Sequence, residues 1–176
     1  MGQGGMVLTN NEQIYEFLYD LKTFNREKDK MDVHKGFGLN FKITDIQASL
    51  GLAQFKKLNQ FINKKNDIFR SYSENVDSKF FGLKTFKKFE VPWFIDIELK
   101  DNNLINKLHT YLMENDIETR FAYPPLSSQN FTQNFEATSL NFSKSLDQKI
   151  LWLPSSTKLE EKDIHYISEK LNKFSA

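Results

Sequence analysis

The sequence predicts an α/β fold, because helical and strand-like hydrophobic patterns both occur in it and alternate in its second half. After Thr44, apolar residues recur at three- and four-residue intervals, which is typical of a helix with one apolar face. Residues 91–99 (VPWFIDIEL) alternate with a period of two, which indicates a strand. At 176 residues, the chain is long enough to bury a core.

Composition excludes several classes of protein. The net charge is +1, which gives no sign of a nucleic-acid or membrane surface. The chain has no cysteine, which excludes disulfides, thiolate metal sites and a cysteine nucleophile and fits a reducing cytoplasm. No apolar run is long enough to span a bilayer, and the N-terminus does not have the pattern of a secretory signal. We therefore expect a cytoplasmic protein with no nucleic-acid or membrane partner.

The N-terminal part predicts a short strand, a helix and a loop. A glycine turn (MGQGG) precedes a strand at residues 6–8, although a loosely held terminus is the ordinary alternative. Thr9 and Glu12 have the spacing of a capping box, so a helix is expected from Thr9 to Phe24. The charged segment 25–35 has no clear period, which is typical of a surface loop.

The most strongly patterned helix begins at Thr44. Thr44 and Gln47 have the spacing of a capping box, in which each side chain bonds the backbone N–H of the other residue. The apolar pattern continues to about Val76. This exceeds the average helix length, so the pattern allows a bend or break near Asn63 or Asn66.

Strands and helices alternate in the second half. The strands are expected at residues 91–99, 117–123 and 150–153, and the helices at residues 102–115 and 160–174. Pro124 and Pro125 end the second strand, because proline cannot donate to a ladder. Residues 78–89 are expected to be irregular, and residues 127–141 to form a loop with a short helix.

The stretch GLNFKITDIQASLGLAQFKKLNQFI, which begins at Gly38, resembles a segment of the DegT/DnrJ/EryC1/StrS aminotransferases. The family pattern there is G-x-N-x-[RK]-[MI]-[ST]-D-[IL]-Q-A-[AS]-[IL]-G-L-x-Q-[LF]. Three further stretches resemble family segments in the same order: GQGGMVLTNNE, DIETRFAYPPLSSQNF and ILWLPSSTKLEEKDIHYI. The resemblance covers essentially the whole chain, but only the C-terminal half of a family member. Gln3 departs from the pattern, where glutamate is usual.

The resemblance implies a pyridoxal-phosphate (PLP) enzyme that aminates nucleotide-linked keto-sugars in polysaccharide or deoxyamino-sugar biosynthesis. The implied fold is the C-terminal small domain of a fold-type-I aminotransferase, with a small, mainly antiparallel sheet covered by helices. Residues 1–43 would be a remnant of the large PLP-binding domain. Residues 44–176 would be the small domain, including the long connecting helix. Without its other half, the remnant should expose apolar surface and associate.

The resemblance also assigns residues around the cofactor. In the family, the PLP-binding lysine lies just before the segment matched at the N-terminus. It would therefore lie upstream of residue 1, and no catalytic residue or metal ligand is assigned within this chain. Asn40 matches the family asparagine that contacts the PLP phosphate of the neighbouring subunit. Lys42 stands where arginine is frequent, which would weaken a bidentate contact. A left-handed turn before the helix is an alternative role for Asn40.

The resemblance places three residues, Arg120, Tyr123 and Ser127, where the family forms part of the sugar-nucleotide pocket, and the first two match the family pattern. Arg120 would suit a diphosphate, and Tyr123 a sugar hydroxyl. A surface ion pair is an alternative role for Arg120. Ser127 replaces the usual histidine, which puts the substrate specificity in question.

Two functions follow from this reading. The first is the C-terminal part of a PLP-dependent sugar aminotransferase that is inactive alone. It would work as a homodimer or with a missing N-terminal half, on a nucleotide-linked keto-sugar and an amino donor. The second is a non-catalytic binding or interaction domain that has kept the small-domain fold without the cofactor.

Overall fold

The structure is a computed structural model that describes residues 2–30, 32–77, 79, 81–132, 134–135 and 139–174. The chain divides into two units, Met1–Leu58 and Asn59–Ala176, which are described separately. The helices are α1 (Glu12–Lys22), α2 (Asp45–Phe55), α3 (Leu58–Asn75), α4 (Ile105–Glu114), α5 (Asn141–Ser145) and α6 (Glu161–Lys173). The strands are β1 (Phe81–Leu83), β2 (Ile95–Leu99), β3 (Arg120–Phe121) and β4 (Ile150–Leu153).

The strands of the C-terminal unit form one antiparallel sheet in the order β1-β2-β4-β3. On one side of β4, Leu153 lies opposite Ile95 of β2. On the other side, Trp152 lies opposite Arg120 of β3. The predicted α/β fold with a small antiparallel sheet is confirmed.

Strands β2 and β3 are shorter than the predicted strands at residues 91–99 and 117–123. The ladder between β2 and β4 begins at Ile95, which lies opposite Leu153, and the next residue along β4 is Pro154. Proline has no N–H to donate, so this ladder stops there. The ladder between β3 and β4 is shorter still and has two pairs, Arg120 opposite Trp152 and Phe121 opposite Leu151.

The edge strand β1 lies in residues 78–89, which the sequence predicts to be irregular. Phe81 is buried and lies opposite Leu99 of β2. A three-residue strand with a glycine at its centre is too short to show a period of two. Strand β1 forms because it pairs with β2, and the local sequence pattern does not reveal that pairing.

The core of the C-terminal unit lies between one face of the sheet and helices α3, α4 and α6. Ile97 of β2, Leu108 of α4 and Leu171 of α6 are fully buried there. Burial of each such side chain stabilises the fold by roughly 1.5–3 kcal/mol. The inward residues of β2 alternate with Asp96 and Glu98 as the period-two pattern predicts.

Two side chains of α3 tie that helix to the end of β4. The Tyr72 hydroxyl is buried and donates to the carbonyl oxygen of Pro154 at 2.9 Å. The Lys65 ammonium donates to the carbonyl oxygens of Trp93 at 2.5 Å and of Ser155 at 2.8 Å. Partial burial lowers the pKa of Lys65. These contacts fix the chain on either side of the central strands.

The helix predicted from Thr44 to Val76 forms as two segments, α2 and α3. The interruption is at Lys56 and Lys57, so the expected position near Asn63 or Asn66 is wrong. The N–H of Lys57 bonds to the carbonyl of Gln54, three residues back, which makes a turn tighter than an α-helix. Neither glycine nor proline marks this turn in the sequence.

The capping box that begins α2 is confirmed. The Thr44 hydroxyl accepts from the N–H of Gln47 at 3.3 Å, and the Gln47 side chain accepts from the N–H of Thr44 at 3.0 Å. Both residues therefore satisfy backbone donors that an uncapped helix would leave without partners.

The first twelve residues differ from the prediction. Residues 6–8 form no strand, because they pair with no strand within the described part of the chain. Helix α1 begins at Glu12 rather than Thr9, because Asn11 is its N-cap and accepts from the N–H of Ile14 at 3.1 Å. Thr9 instead accepts from the N–H of Asn11 at 3.0 Å.

The N-terminal unit exposes apolar side chains, as the sequence predicts. None of its described residues is buried, and its helices present large apolar groups such as Phe17 (66% exposed) and Ile46 (77% exposed). An amphipathic helix is normally stabilised by covering such a face. Among the described residues, no helix is both long and apolar enough to cross a membrane.

The substitution Tyr72→Phe should destabilise the C-terminal unit by about 1–2 kcal/mol at pH 7, because the Pro154 carbonyl loses its buried donor. Burial, and to a smaller extent the charge of Asp163, raise the pKa of Tyr72 above its usual 10.0. The unfolded phenol therefore ionises near pH 10 while the folded one stays protonated, and the wild type loses stability above that pH.

Urea unfolding at pH 7 and above pH 10 tests this expectation, with Tyr166→Phe as the control. Tyr166 donates to the Asn115 carbonyl at 3.1 Å but is exposed, so its loss should cost little. The loss of unfolding free energy caused by Tyr72→Phe should be smaller at the higher pH. A loss equal to that of the control, or one that is larger above pH 10, would contradict this account.

Candidate functional site

Asn40 lies in a short segment that runs beside the end of α1. The N–H groups on either side of it, those of Leu39 and Phe41, donate to α1 carbonyls at 2.7 and 3.1 Å. Asn40 does not have a positive φ; Phe24 and Asn25 have that conformation instead. A left-handed turn therefore does not explain Asn40, and this alternative is wrong.

Gly38 sets the position of this segment. A Cβ atom at residue 38 would lie 2.2 Å from the carbonyl carbon of Phe24 and 2.5 Å from the nitrogen of Asn25. No side chain fits there without moving the backbone. His34 supports the same turn, because its Nδ1 lies 2.7 Å from the Phe24 carbonyl oxygen and donates to it. The turn at Phe24 thus places Asn40 on the surface.

Two cations lie over the ring of Phe24. The Lys42 Nζ is 4.8 Å from the ring centroid, and the Arg26 Cζ is 5.1 Å from it. Such cation–π contacts limit the movement of the two side chains while their charged groups stay in contact with water. The Asn40 side chain is exposed and makes no hydrogen bond within the described part of the chain. An amide and an ammonium group are thus both available to an anion just ahead of α2.

These residues fit one part of a PLP site. A phosphate needs hydrogen-bond donors and positive charge, which Asn40 and Lys42 provide, and the start of a helix favours an anion. A PLP site also needs a lysine that binds the aldehyde and a carboxylate that faces the ring nitrogen. The resemblance assigns neither of these to this chain.

In the C-terminal unit, a cleft of about 560 Å³ lies beside β3. It brings together two of the three predicted substrate residues, Arg120 and Tyr123. Its full lining is Asn106, Arg120, Phe121, Ala122, Tyr123, Pro124, Asp147 and Gln148. Amide and carboxylate side chains beside a guanidinium provide partners for hydroxyl groups and for an anion.

Sequence reasoning missed Asn106, Asp147 and Gln148. Asn106 belongs to α4, whereas Asp147 and Gln148 lie in the turn before β4. They belong to no motif, and the antiparallel pairing of β3 with β4 brings this turn to the cleft. The left-handed conformation of Gln148 (φ 57°) marks that turn, but a glutamine there gives no sign of it in the sequence.

Arg120 has no acidic partner among the residues that the structure describes. Among the described residues, no carboxylate lies within ion-pair distance of its guanidinium, so the surface ion pair is not its role. Its Cζ lies 5.0 Å from the ring centroid of Tyr123 and 5.8 Å from that of Trp152. The side chain is exposed, held over two aromatic rings, and available to an anion.

Ser127 is separate from the cleft lining. It lies in a short 3₁₀ turn over residues 126–128, and its hydroxyl oxygen is buried without a hydrogen-bond partner in the described part of the chain. The structure therefore groups Arg120 with Tyr123 but does not add Ser127 to them. Its role in specificity stays a prediction.

Comparison with known proteins decides the family. The sequence model of the DegT/DnrJ/EryC1/StrS aminotransferase family matches residues 1–172. The chain belongs to this family. The family is PLP-dependent, and its members in these comparisons include sugar aminotransferases.

Among the family relatives, the chain is 28% identical to the GDP-perosamine synthase of Escherichia coli O157:H7 over 175 residues. The match covers 98% of this chain and 48% of the synthase. It is also 28% identical to the GDP-perosamine synthase of Vibrio cholerae, covering 88% of this chain and 43% of that protein. The chain thus spans about half the length of these relatives.

Solved structures of aminotransferases share the fold. Helicobacter pylori PseC, an aminotransferase involved in the biosynthesis of pseudoaminic acid, superimposes with a TM-score of 0.81 at 20% identity. The match covers 94% of this chain and 47% of PseC. TlmJ of Streptoalloteichus hindustanus, also an aminotransferase, gives a TM-score of 0.81 at 17% identity, covering 93% of this chain and 45% of TlmJ.

The substitution Gly38→Ala should disrupt the segment that carries Asn40, because the new methyl group would overlap the backbone of Phe24 and Asn25. Hydrogen exchange should become at least tenfold faster at the N–H groups of Leu39 and Phe41, which corresponds to about 1.4 kcal/mol of lost local stability.

Gly36→Ala is the matched control for this experiment. A Cβ atom there would meet only the Asn25 side-chain nitrogen, at 3.2 Å, and a side-chain end can move. Equal exchange rates in the two variants would show that residue 38 does not set this turn.

Proposed function

We propose that this chain forms the C-terminal half of a PLP-dependent aminotransferase that acts on a nucleotide-linked keto-sugar. The observation that carries the proposal is the cleft beside β3, where Arg120 and Tyr123 lie together and no carboxylate of the described residues pairs with the guanidinium. Both residues match family positions in the sequence, and the cleft is found without using that match.

Arg120 would bind the diphosphate of the sugar nucleotide. A guanidinium donates in-plane hydrogen bonds to two oxygens of a phosphate, and here its charge is not neutralised within the described part of the chain. Tyr123 would donate to or accept from a sugar hydroxyl at the exposed side of the cleft. The GDP-perosamine synthases among the relatives support a GDP-linked sugar as the first substrate to test.

Asn40 and Lys42 would bind the phosphate of PLP held by a neighbouring subunit. Their exposed donors beside the start of α2 support this role. When bound, PLP serves as the electron sink for the transfer of the amino group. The task of this chain is to hold the phosphate and the nucleotide so that the keto-sugar meets the cofactor in one orientation.

An N-terminal half would carry the lysine that binds PLP, and this chain would be inactive without it. The exposed apolar faces of α1 and α2 support association with such a half, or with a second subunit that is itself complete. The amino donor would enter the same site after the sugar product leaves, as in other two-step transaminations.

The purified chain should form no stoichiometric adduct with PLP. After incubation with PLP and reduction with borohydride, intact mass should equal that of the untreated chain. The absorption spectrum should be that of free PLP. The complete E. coli GDP-perosamine synthase serves as the positive control. A single adduct on one lysine of this chain would overturn the assignment of the lysine to an N-terminal half.

The substitution Arg120→Ala should weaken the binding of GDP to the chain about tenfold, because a charge-assisted hydrogen bond contributes roughly 1.5–3 kcal/mol. Titration calorimetry measures the Kd. Arg70→Ala is the control, since Arg70 lies in an exposed pair with Asp67 on α3.

The same titration separates the two candidate functions. Loss of affinity in Arg120→Ala but not in Arg70→Ala supports the nucleotide-sugar role. A wild-type chain that is monomeric and binds neither GDP nor UDP favours the non-catalytic interaction domain.

A further inference from the structure

A row of four side chains crosses the face of the sheet that points away from the helices. Lys84 follows β1, Asp96 lies on β2, Trp152 on β4 and Arg120 on β3. The register places Asp96 directly opposite Trp152 and Trp152 directly opposite Arg120. Cross-strand neighbours on one face of a sheet contact each other, so the row is continuous.

Trp152 is the fixed member of this row. Its side chain is almost buried, with 9% of its surface exposed. The ring of Phe94 stacks on the indole at 3.8 Å with an interplanar angle of 2°, and the ring of Tyr123 meets it edge-on at 4.8 Å. The indole is therefore held on two sides by other rings.

Asp96 holds the polar edge of the indole. Partial burial raises the pKa of the Asp96 carboxyl, and the charge of Lys84 and a hydrogen bond from the Trp152 side chain oppose that rise. The indole N–H is the only donor on that side chain. Asp96 lies directly across the ladder from Trp152, so its carboxylate is on the same face as the indole and within reach of the N–H.

Trp152 also separates the Asp96 carboxylate from the Arg120 guanidinium. Asp96 and Arg120 lie on strands two apart, and strands are about 4.8 Å from their neighbours, so roughly 10 Å separates their backbones. The carboxylate lies beside the indole and does not pair with the guanidinium. The faces of Trp152 and Tyr123 limit the movement of the Arg120 side chain.

We propose that Asp96 and Trp152 are positioning residues for Arg120. The indole, fixed by Asp96 and Phe94, holds the guanidinium by its face and leaves its N–H groups free for a phosphate or diphosphate. This inference rests on the proposed role of Arg120 in nucleotide binding. It assigns a function to two residues of the row that do not line the cleft.

Holding Arg120 in place would favour binding by lowering the entropic cost of ordering its side chain. A free arginine side chain has many rotamers, and a ligand that fixes it must oppose that loss of freedom. A side chain that is already held over two rings loses less freedom when the anion arrives. Removing the support should therefore weaken binding without removing any ligand contact.

The first measurement follows Arg120 in the absence of ligand. The sequence contains three arginines, Arg26, Arg70 and Arg120, so the side-chain Nε–Hε signals are simple to assign by substitution. In the wild type, the heteronuclear NOE of Arg120 should exceed that of exposed Arg70. In Asp96→Leu it should fall to the value of Arg70. In Asp96→Asn it should stay high, because the amide oxygen still accepts from the indole.

Two further variants complete this measurement. Trp152→Phe keeps a ring but removes the N–H, and should give an intermediate NOE for Arg120. Trp93→Phe is the control, since Trp93 is 75% exposed and is not a member of the row. Backbone amide spectra establish that each variant is folded. An Arg120 NOE that is unchanged in both Asp96→Leu and Trp152→Phe would overturn the proposal, whether or not the chain binds a nucleotide.

The second measurement is the Kd for GDP. Asp96→Leu should raise it about fivefold, from the cost of ordering one long side chain, and Asp96→Asn should leave it within twofold. In an Arg120→Ala background, Asp96→Leu should have no further effect, because Asp96 acts through Arg120. Equal losses in both backgrounds would assign Asp96 a general structural role and overturn the proposal. A wild-type affinity in Arg120→Ala would instead refute the proposed nucleotide role of Arg120, while the NOE still decides the positioning role.

Discussion

The pairing of β4 with a strand on each side is the constraint on which the C-terminal unit depends. It joins β2 to β3, and Pro154 follows the last residue of β4 that pairs with β2. The carbonyl of Pro154 then accepts the buried Tyr72 hydroxyl, and Ser155 accepts from Lys65. The central strand therefore positions the edge strand β3 and helix α3 together.

The two faces of the sheet carry different kinds of side chain. One face packs isoleucine and leucine side chains against α3, α4 and α6. The opposite face carries charged and aromatic groups, with Trp152 between Asp96 and Arg120. Because successive residues of a strand point to opposite faces, Leu151 belongs to the core while its neighbour Trp152 belongs to the face proposed for binding.

Much of the fold could be predicted, because local chemistry decides it. The capping box of Thr44 and Gln47 and the alternation in β2 each depend on neighbouring residues. The features that could not be predicted depend on residues distant in the sequence, or on a choice between two residues that are equally suited to one role. β1 exists because β2 is beside it, and Asn11 rather than Thr9 caps α1 although both are suitable. The turn at Lys56 has no marker residue.

The candidate site divides in the same way. Arg120 and Tyr123 could be named from a motif, since they are three residues apart at the end of one strand. Asn106, Asp147 and Gln148 could not, because only the folded sheet brings them to the cleft. The Asp96–Trp152 contact joins residues 56 positions apart and depends on the register of two strands. The roles proposed for these residues are not read from any single stretch of sequence.

The exposed apolar side chains of α1 and α2 affect how long the chain would persist in a cell. Surface of this kind is what chaperones and proteases recognise on incompletely assembled proteins. A chain made in excess of whatever covers these helices would be removed, and a covered one would persist. If a partner covers these helices, as proposed, the abundance of the chain would follow the supply of that partner rather than its own rate of synthesis.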